Sequence, residues 1–237
     1  MELTSAFILH HRPYRETSSL VDVLTRDHGR VSLVARGLRQ TKKRSSPIQI
    51  FQPVWLSWYG RGDLVTLSQI EKDEPGYRLL GNASLCGLYM NELLVKLLPV
   101  HEAEPDIFDA YRQALSSLQQ KNNEQITLRL FEKALLSHLG YGLALTVDAE
   151  SGEAIEEDGI YIYHPDSGPR RVFGQRLQNT VSGRSLRHLE QEAGFDELSL
   201  KEIKHMMRSV INYYLGGRPL HSRQLFAGLN QFNTKTN

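Results

Sequence analysis

The period of the hydrophobic pattern changes at Asp73-Glu74-Pro75-Gly76, and that change restricts the fold more than any other feature of the chain. Before it, apolar residues alternate with polar ones in short runs, as in Val54, Leu56 and Trp58 around Ser57, or Val65-Thr66-Leu67-Ser68. Successive strand side chains point to opposite faces, so a period of two marks half-buried strands. Five are predicted: Ser5–His11, Leu20–Thr25, Arg30–Arg36, Gln52–Tyr59 and Leu64–Ile70. Turn chemistry at Arg26-Asp27-His28-Gly29 and Gly60-Arg61-Gly62-Asp63 predicts two tight hairpins, with a longer connection from Gly37 to Ile50. The arrangement suits a small five-stranded barrel of OB type, with an SH3-like barrel as the alternative.

After the change, the spacing is helical. A helix capped by Asn82 runs to about Leu98, where Pro99 stops it, and others cover Pro105–Leu118 and Glu124–Leu139. Asp148 to Val172 carries no helical period; Ile160-Tyr161-Ile162-Tyr163 and Arg171-Val172-Phe173 around Pro165-Asp166-Ser167-Gly168 predict a small hairpin. Helical spacing returns at Gly183–Glu192. Ser199-Leu200-Lys201-Glu202 has the form of a capping box opening a helix to Leu215, and a short helix Arg223–Leu229 follows. The expected fold is α+β and multidomain. An OB-fold barrel over residues 1–80 precedes an all-helical domain over 81–237, which carries a small β insertion near 148–173.

Charge is distributed unevenly along this layout. The formal net charge is only +1. Residues 1–80, however, hold 12 basic and 8 acidic side chains, residues 81–160 hold 5 and 13, and residues 161–237 hold 11 and 6. Arg36-Gly37-Leu38-Arg39-Gln40-Thr41-Lys42-Lys43-Arg44 packs five cations with no acid. Clustered like charges repel one another unless they meet an anion, so Arg36, Arg39, Lys42, Lys43 and Arg44 are expected to contact phosphates. Arg30 is expected to bind DNA with them, and Arg12, Arg15 and Arg26 lie near in sequence. Trp55, Trp58 and Tyr59 either stack bases or fill the barrel, with alternation leaving Tyr59 on the other face.

Other chemistries find little support in the residues. There is no P-loop, nucleophile elbow, metalloprotease pattern or dinucleotide fingerprint, so no catalytic residue and no cofactor is expected. One cysteine, Cys86, makes neither an internal disulfide nor a cysteine-based zinc site, and no metal is expected. Glu153, Glu156, Glu157 and Asp158 match no calcium loop and are expected to be solvated or partner-facing; in a rival reading they serve a small hydrolase or nuclease. The most apolar stretch, Leu85–Val100, is interrupted by Asn91, Glu92, Lys96 and Pro99, and no secretory signal is expected after Glu2. A cytoplasmic protein that does not enter membranes is therefore expected.

Several segments are similar to the bacterial recombination mediator family RecO. They are Phe7-Ile8-Leu9-His10-His11-Arg12-Pro13-Tyr14-Arg15-Glu16-Thr17-Ser18, Gly29 to Gly37, Tyr89-Met90-Asn91-Glu92-Leu93-Leu94, Leu128 to Leu136 with His138-Leu139-Gly140-Tyr141-Gly142, and Tyr214-Leu215-Gly216-Gly217-Arg218-Pro219-Leu220. The resemblance implies an OB-fold domain and a helical domain without enzymatic activity. It implies binding to single- and double-stranded DNA, annealing of complementary strands coated by single-stranded DNA-binding protein (SSB), and loading of RecA with RecR, possible use of RecF being left open. It further implies nucleoid association and capture of the acidic SSB C-terminal tail by Arg129 beside Leu128 and Phe131, against the alternative of an ordinary helix ion pair with Glu132. Some members carry a four-cysteine zinc site after the Gly-Tyr-Gly motif. Here that stretch is Val147-Asp148-Ala149-Glu150-Ser151-Gly152, and the zinc is not carried over. An RNA-binding OB-fold protein of RNA metabolism remains the alternative.

Overall fold

A computed structural model describes residues 2–36, 49–73, 75–174, 177 and 179–226. Strands β1 (Thr4–Tyr14), β2 (Ser18–Thr25), β3 (Gly29–Ala35), β4 (Pro53–Tyr59) and β5 (Leu64–Lys72) close a barrel in the order β1-β2-β3-β5-β4. β3 pairs with β5 in parallel, and the other neighbours are antiparallel. This is the OB-like barrel expected from the alternation. Its interior holds Ala6, Ile8, Val21, Val23, Val31, Leu33, Val54, Leu56, Trp58 and Val65.

The run Ala6-Phe7-Ile8-Leu9 does not alternate, because both faces of β1 are covered. Ala6 and Ile8 point into the barrel, and the register with β2 then slips between Ile8 and His10. Phe7 and Leu9 are buried on the other side. There, helices α1 (Asn82–Leu97) and α2 (Pro105–Gln119) supply the cover. The Phe7 ring lies 5.1 Å from Phe108 and 5.2 Å from Tyr111. Asn91 Nδ2 donates to Leu9 O at 2.7 Å, and Tyr111 Oη donates to Asn91 Oδ1 at 2.5 Å. A buried amide is thereby satisfied at both ends. Asn82 is the first helical residue rather than the cap; Gly81, at φ 56°, precedes it and makes no side-chain cap.

Residues 1–122 and 220–237 form one compact unit and residues 123–219 a second. α1 and α2 therefore fold with the barrel, although their sequence period groups them with the later helices. The chain returns to the first unit at Leu220, where Glu92 of α1 accepts from His221 N at 2.9 Å, Ser222 N at 2.8 Å and Ser222 Oγ at 2.6 Å.

The second unit contains α3 (Glu124–His138), β6 (Ile160–His164), β7 (Gly168–Arg171), β8 (Thr180–Ser182), α4 (Gly183–Gln191) and α5 (Glu197–Tyr214). The expected hairpin is a three-stranded sheet of order β7-β6-β8. β8 escaped sequence reading because three residues carry too little pattern to reveal a period. α5 begins a turn earlier than expected: Asp196 is the cap, and Ser199 is its reciprocal partner. Glu202, expected to complete a capping box, is instead buried and accepts from Ser182 N, Ser182 Oγ and Ser185 Oγ. Ahead of the sheet, the Asp148 carboxylate accepts backbone N–H groups from Glu150, Ser151 and Arg171 at 2.9, 2.8 and 2.6 Å.

Candidate nucleic-acid interface

The barrel's register assembles a continuous row on its outer surface. Arg12 on β1 faces Leu20 on β2, Leu20 faces Val34 on β3, Val34 faces Thr66 on β5, and Thr66 faces Tyr59 on β4. Directly paired residues place their side chains on the same face. The two ends, Arg12 and Tyr59, are exposed, and the middle three are half-buried. Because the barrel is closed, the row winds around its outside from a cation at one end, over half-buried Leu20, Val34 and Thr66, to a tyrosine ring at the other.

The same register gathers further cations at one edge. Tyr14 faces Ser18, and Ser19 faces Ala35, so the β1–β2 turn lies beside the end of β3, where Arg36 emerges exposed. The Arg15 guanidinium lies over the Tyr14 ring at 5.1 Å. Across the face, the β4–β5 turn carries exposed Arg61. In OB folds the surface of strands 2 and 3, framed by the first and last of these turns, is where oligonucleotides bind.

The predicted residues separate on this frame. Arg36 stands at its edge; Arg39, Lys42, Lys43 and Arg44 lie outside the described residues. Arg30 is drawn away from it. Its Nε donates to Leu98 O at 3.0 Å, and Nη1 is 3.8 Å from Asp22 Oδ1, leaving the side chain 17% exposed. Arg30 therefore ties the barrel to the end of α1. Arg26 is likewise turned to α2, with Nη2 2.9 Å from Asp109 Oδ2.

The aromatic trio also splits. Trp58 is buried in the barrel, its ring edge-on to His28 at 5.2 Å, whereas Trp55 and Tyr59 are exposed. Two tryptophans three apart on a strand must face opposite ways. Trp55 and Tyr59 are left as solvent-exposed rings. Arg12 and Arg15 stand in the sequence only as neighbours of the basic run; the register of the first hairpin is what places them, with Tyr14, at this surface.

The residues expected to hold an acidic tail lie inside the second unit. Leu128, Arg129 and Phe131 are all buried. Arg129 Nη2 is 2.8 Å from Glu132 Oε1, and Arg129 Nε has no hydrogen-bond acceptor among the described residues. The neighbouring Lys133 closes the end of α4, donating to Leu189 O, Glu190 O and Glu192 Oε1 at 3.0, 2.9 and 2.8 Å. A cation there satisfies carbonyls that a helix end leaves open.

The acidic run does not converge on a point. Glu156 takes both Arg171 guanidinium nitrogens at 2.6 Å, while Glu157 lies 3.2 Å from Arg184 and 3.8 Å from Arg187. The Glu156 carboxyl titrates below its ordinary value because Arg171 hydrogen-bonds to the charged form. Among the described residues no three His, Cys, Asp or Glu side chains are grouped to hold a metal ion. No helix among the described residues is long and apolar enough to cross a membrane.

Two family models match the chain: Recombination protein O N terminal over residues 1–74, and Recombination protein O C terminal over residues 79–224. The DNA repair protein RecO of Nitrosococcus oceani is 43% identical over 231 residues, covering 97% of this chain and 94% of that protein. The protein of the same name from Coxiella burnetii is 43% identical over 224 residues, covering 94% and 96%. That of Methylococcus capsulatus is 41% identical over 225 residues, covering 94% and 92%.

Proposed function

Because the chain belongs to the recombination protein O family, we propose that it serves DNA repair and recombination by binding DNA strands on the outer face of its barrel. The row from Arg12 to Tyr59 carries this reading: it pairs a cation for phosphate with an exposed ring for a base across an unbroken sheet surface. Arg15, Arg36 and Arg61 extend the charge at its borders. Contacts of this kind follow the backbone and discriminate little between sequences.

The finer role is part of the same proposal, and the family resemblance supports it. Cations that lower the repulsion between two phosphate backbones let complementary strands meet and anneal, and no covalent step is needed, so the proposed role is non-enzymatic. The strands are those coated by SSB; with RecR, and with RecF as a possible further partner, the protein helps to load RecA on them at the nucleoid. The acidic SSB tail is the proposed recruiting contact. With Leu128, Arg129 and Phe131 buried, Arg129 contributes to that contact by fixing α3 through Glu132.

The test is the salt dependence of binding to a single-stranded DNA oligonucleotide, for the wild type and for an Arg12→Glu, Arg36→Glu variant. Each lost phosphate contact flattens the slope of log K against log salt by about 0.7. An unchanged slope overturns the assignment of the barrel face. Tighter binding to the matching RNA overturns the DNA reading in favour of RNA metabolism.

A further inference from the structure

The second unit contains a set of cations that its own acids do not neutralise. Arg129 pairs with Glu132, Lys133 with Glu192, Arg171 with Glu156, and Arg184 and Arg187 with Glu157. Lys201, Lys204 and Arg208 have no ion pair among the described residues, and all three are exposed on α5.

Their spacing places them together. Residues three, four and seven apart share one face of a helix, and Lys201 to Arg208 spans about 10 Å of its axis. His205 and Asn212 are exposed on the same face. The opposite face, with Ile203, Met206, Met207, Val210 and Ile211, is buried in the unit. Of the acids of α5, Glu202 is buried against Ser182 and Ser185, and Glu197 lies one turn before Lys201 on the same face without an ion pair to it among the described residues; no acid falls on this face from Lys201 to Arg208. At the near end, Lys201, Lys204 and His205 also line a cleft with Asn123, Gln125 and Phe195, which supply amides and a ring, and with the acids Asp196 and Glu197, so the cationic row is clear of acids only beyond this cleft. At the far end stands Tyr213, 56% exposed.

We infer that the solvent face of α5 is a second DNA-backbone surface, with Lys201, Lys204 and Arg208 contacting successive phosphates of a strand. Charge complementarity carries the choice of partner. The stretch presents three exposed cations without an ion pair among the described residues and exposes no large apolar side chain between Lys201 and Arg208, which suits a polyanion rather than an apolar protein surface. The inference rests on the DNA-binding reading above and deepens it. Annealing requires two strands on one molecule, and a separate surface in each unit gives each strand its own place.

The experiment uses the full chain with Lys201→Gln, Lys204→Gln and Arg208→Gln combined, and a charge-preserving companion, Lys201→Arg, Lys204→Arg, Arg208→Lys. Fluorescence anisotropy with a labelled single-stranded oligonucleotide reads the salt slope, and titration with a second, differently labelled strand reads how many strands bind. Circular dichroism and thermal melting confirm that both variants fold. The expected result is a slope lower by up to about 2 for the neutral triple variant, at about 0.7 per phosphate contact. It should also lose the second strand, while the charge-preserving variant behaves as wild type. An unchanged slope and stoichiometry overturn the inference. So does loss confined to a Glu/Asp-rich peptide, which would make α5 a protein-docking face. A wild-type chain that binds no DNA overturns the DNA-binding reading itself.

Discussion

Arg129 and Glu132 face each other at 2.8 Å on one turn of α3, with side-chain exposures of 7% and 0%. A pair this deep is more costly to break than to replace, because removing one partner leaves a charge in an interior that solvates it poorly. Arg129→Ala should therefore destabilise the second unit by up to about 3–5 kcal/mol. A double variant, Arg129→Met with Glu132→Met, should recover most of that loss. Urea unfolding of the single and double variants measures both. If Arg129→Ala melts like wild type, the pair has no structural part, and any effect on SSB binding comes from a direct contact.

Asp148 gathers the loop ahead of β6. Its carboxyl titrates below the ordinary value of 3.8, chiefly because the Ser151 N–H bonds to the charged form; burial opposes the shift, and the Glu150 and Arg171 N–H groups add to it. A depressed folded pKa stabilises the protein above the unfolded value and loses that contribution as pH falls through the folded value. The loop should therefore loosen only below about pH 4. Asp148→Asn should bring the loosening to neutral pH, at about 1.5–3 kcal/mol, the scale of one hydrogen bond to a charged group. Hydrogen exchange at Glu150, Ser151 and Arg171 reports it, and EDTA should leave the wild-type melting temperature unchanged.

Trp58 and Trp55 should separate stability from binding. Trp58 is 6% exposed inside the barrel, so Trp58→Ala should cost about 3–5 kcal/mol in unfolding free energy. Trp55→Ala and Tyr59→Ala remove exposed rings and should leave stability within about 0.5 kcal/mol. Each should weaken single-stranded DNA binding by about 1–3 kcal/mol where its ring stacks on a base. Equal binding by all three variants would remove the aromatic part of the interface.

Glu92 holds the returning chain at His221 and Ser222. Burial raises its pKa, but the Ser222 hydroxyl, the two backbone N–H groups and Lys96 more than offset this, and the net shift is downward. Glu92→Gln should accelerate proteolysis after Leu220 at neutral pH, with the barrel's melting temperature little changed. The wild type should show the same sensitivity only in acid, once the carboxyl is protonated.

Local periodicity was enough to place the barrel and the helices. A two-residue alternation in β4 and a helical spacing in α1 are written in neighbouring residues, and each predicts its own burial. Partnership was less legible. Arg30 and Arg36 look alike in the chain, yet one is held by Leu98 O and Asp22 and the other is exposed. Trp55 and Trp58 differ in the sequence only by the parity of their positions, and that parity sets one outside the barrel and the other within it.

The amino-acid sequence by itself determined the change from strand to helix at Asp73–Gly76, the OB-type barrel and the cationic run after Ala35. These rest on the order of adjacent side chains, which needs no knowledge of distant contacts. Only the tertiary structure decided that α1 and α2 fold with the barrel, that Arg129 is an interior residue, and that Arg12 lies in one row with Tyr59. Those facts come from strand register and from which acid meets which cation. Both are set by packing between segments tens of residues apart, where sequence spacing carries no distance.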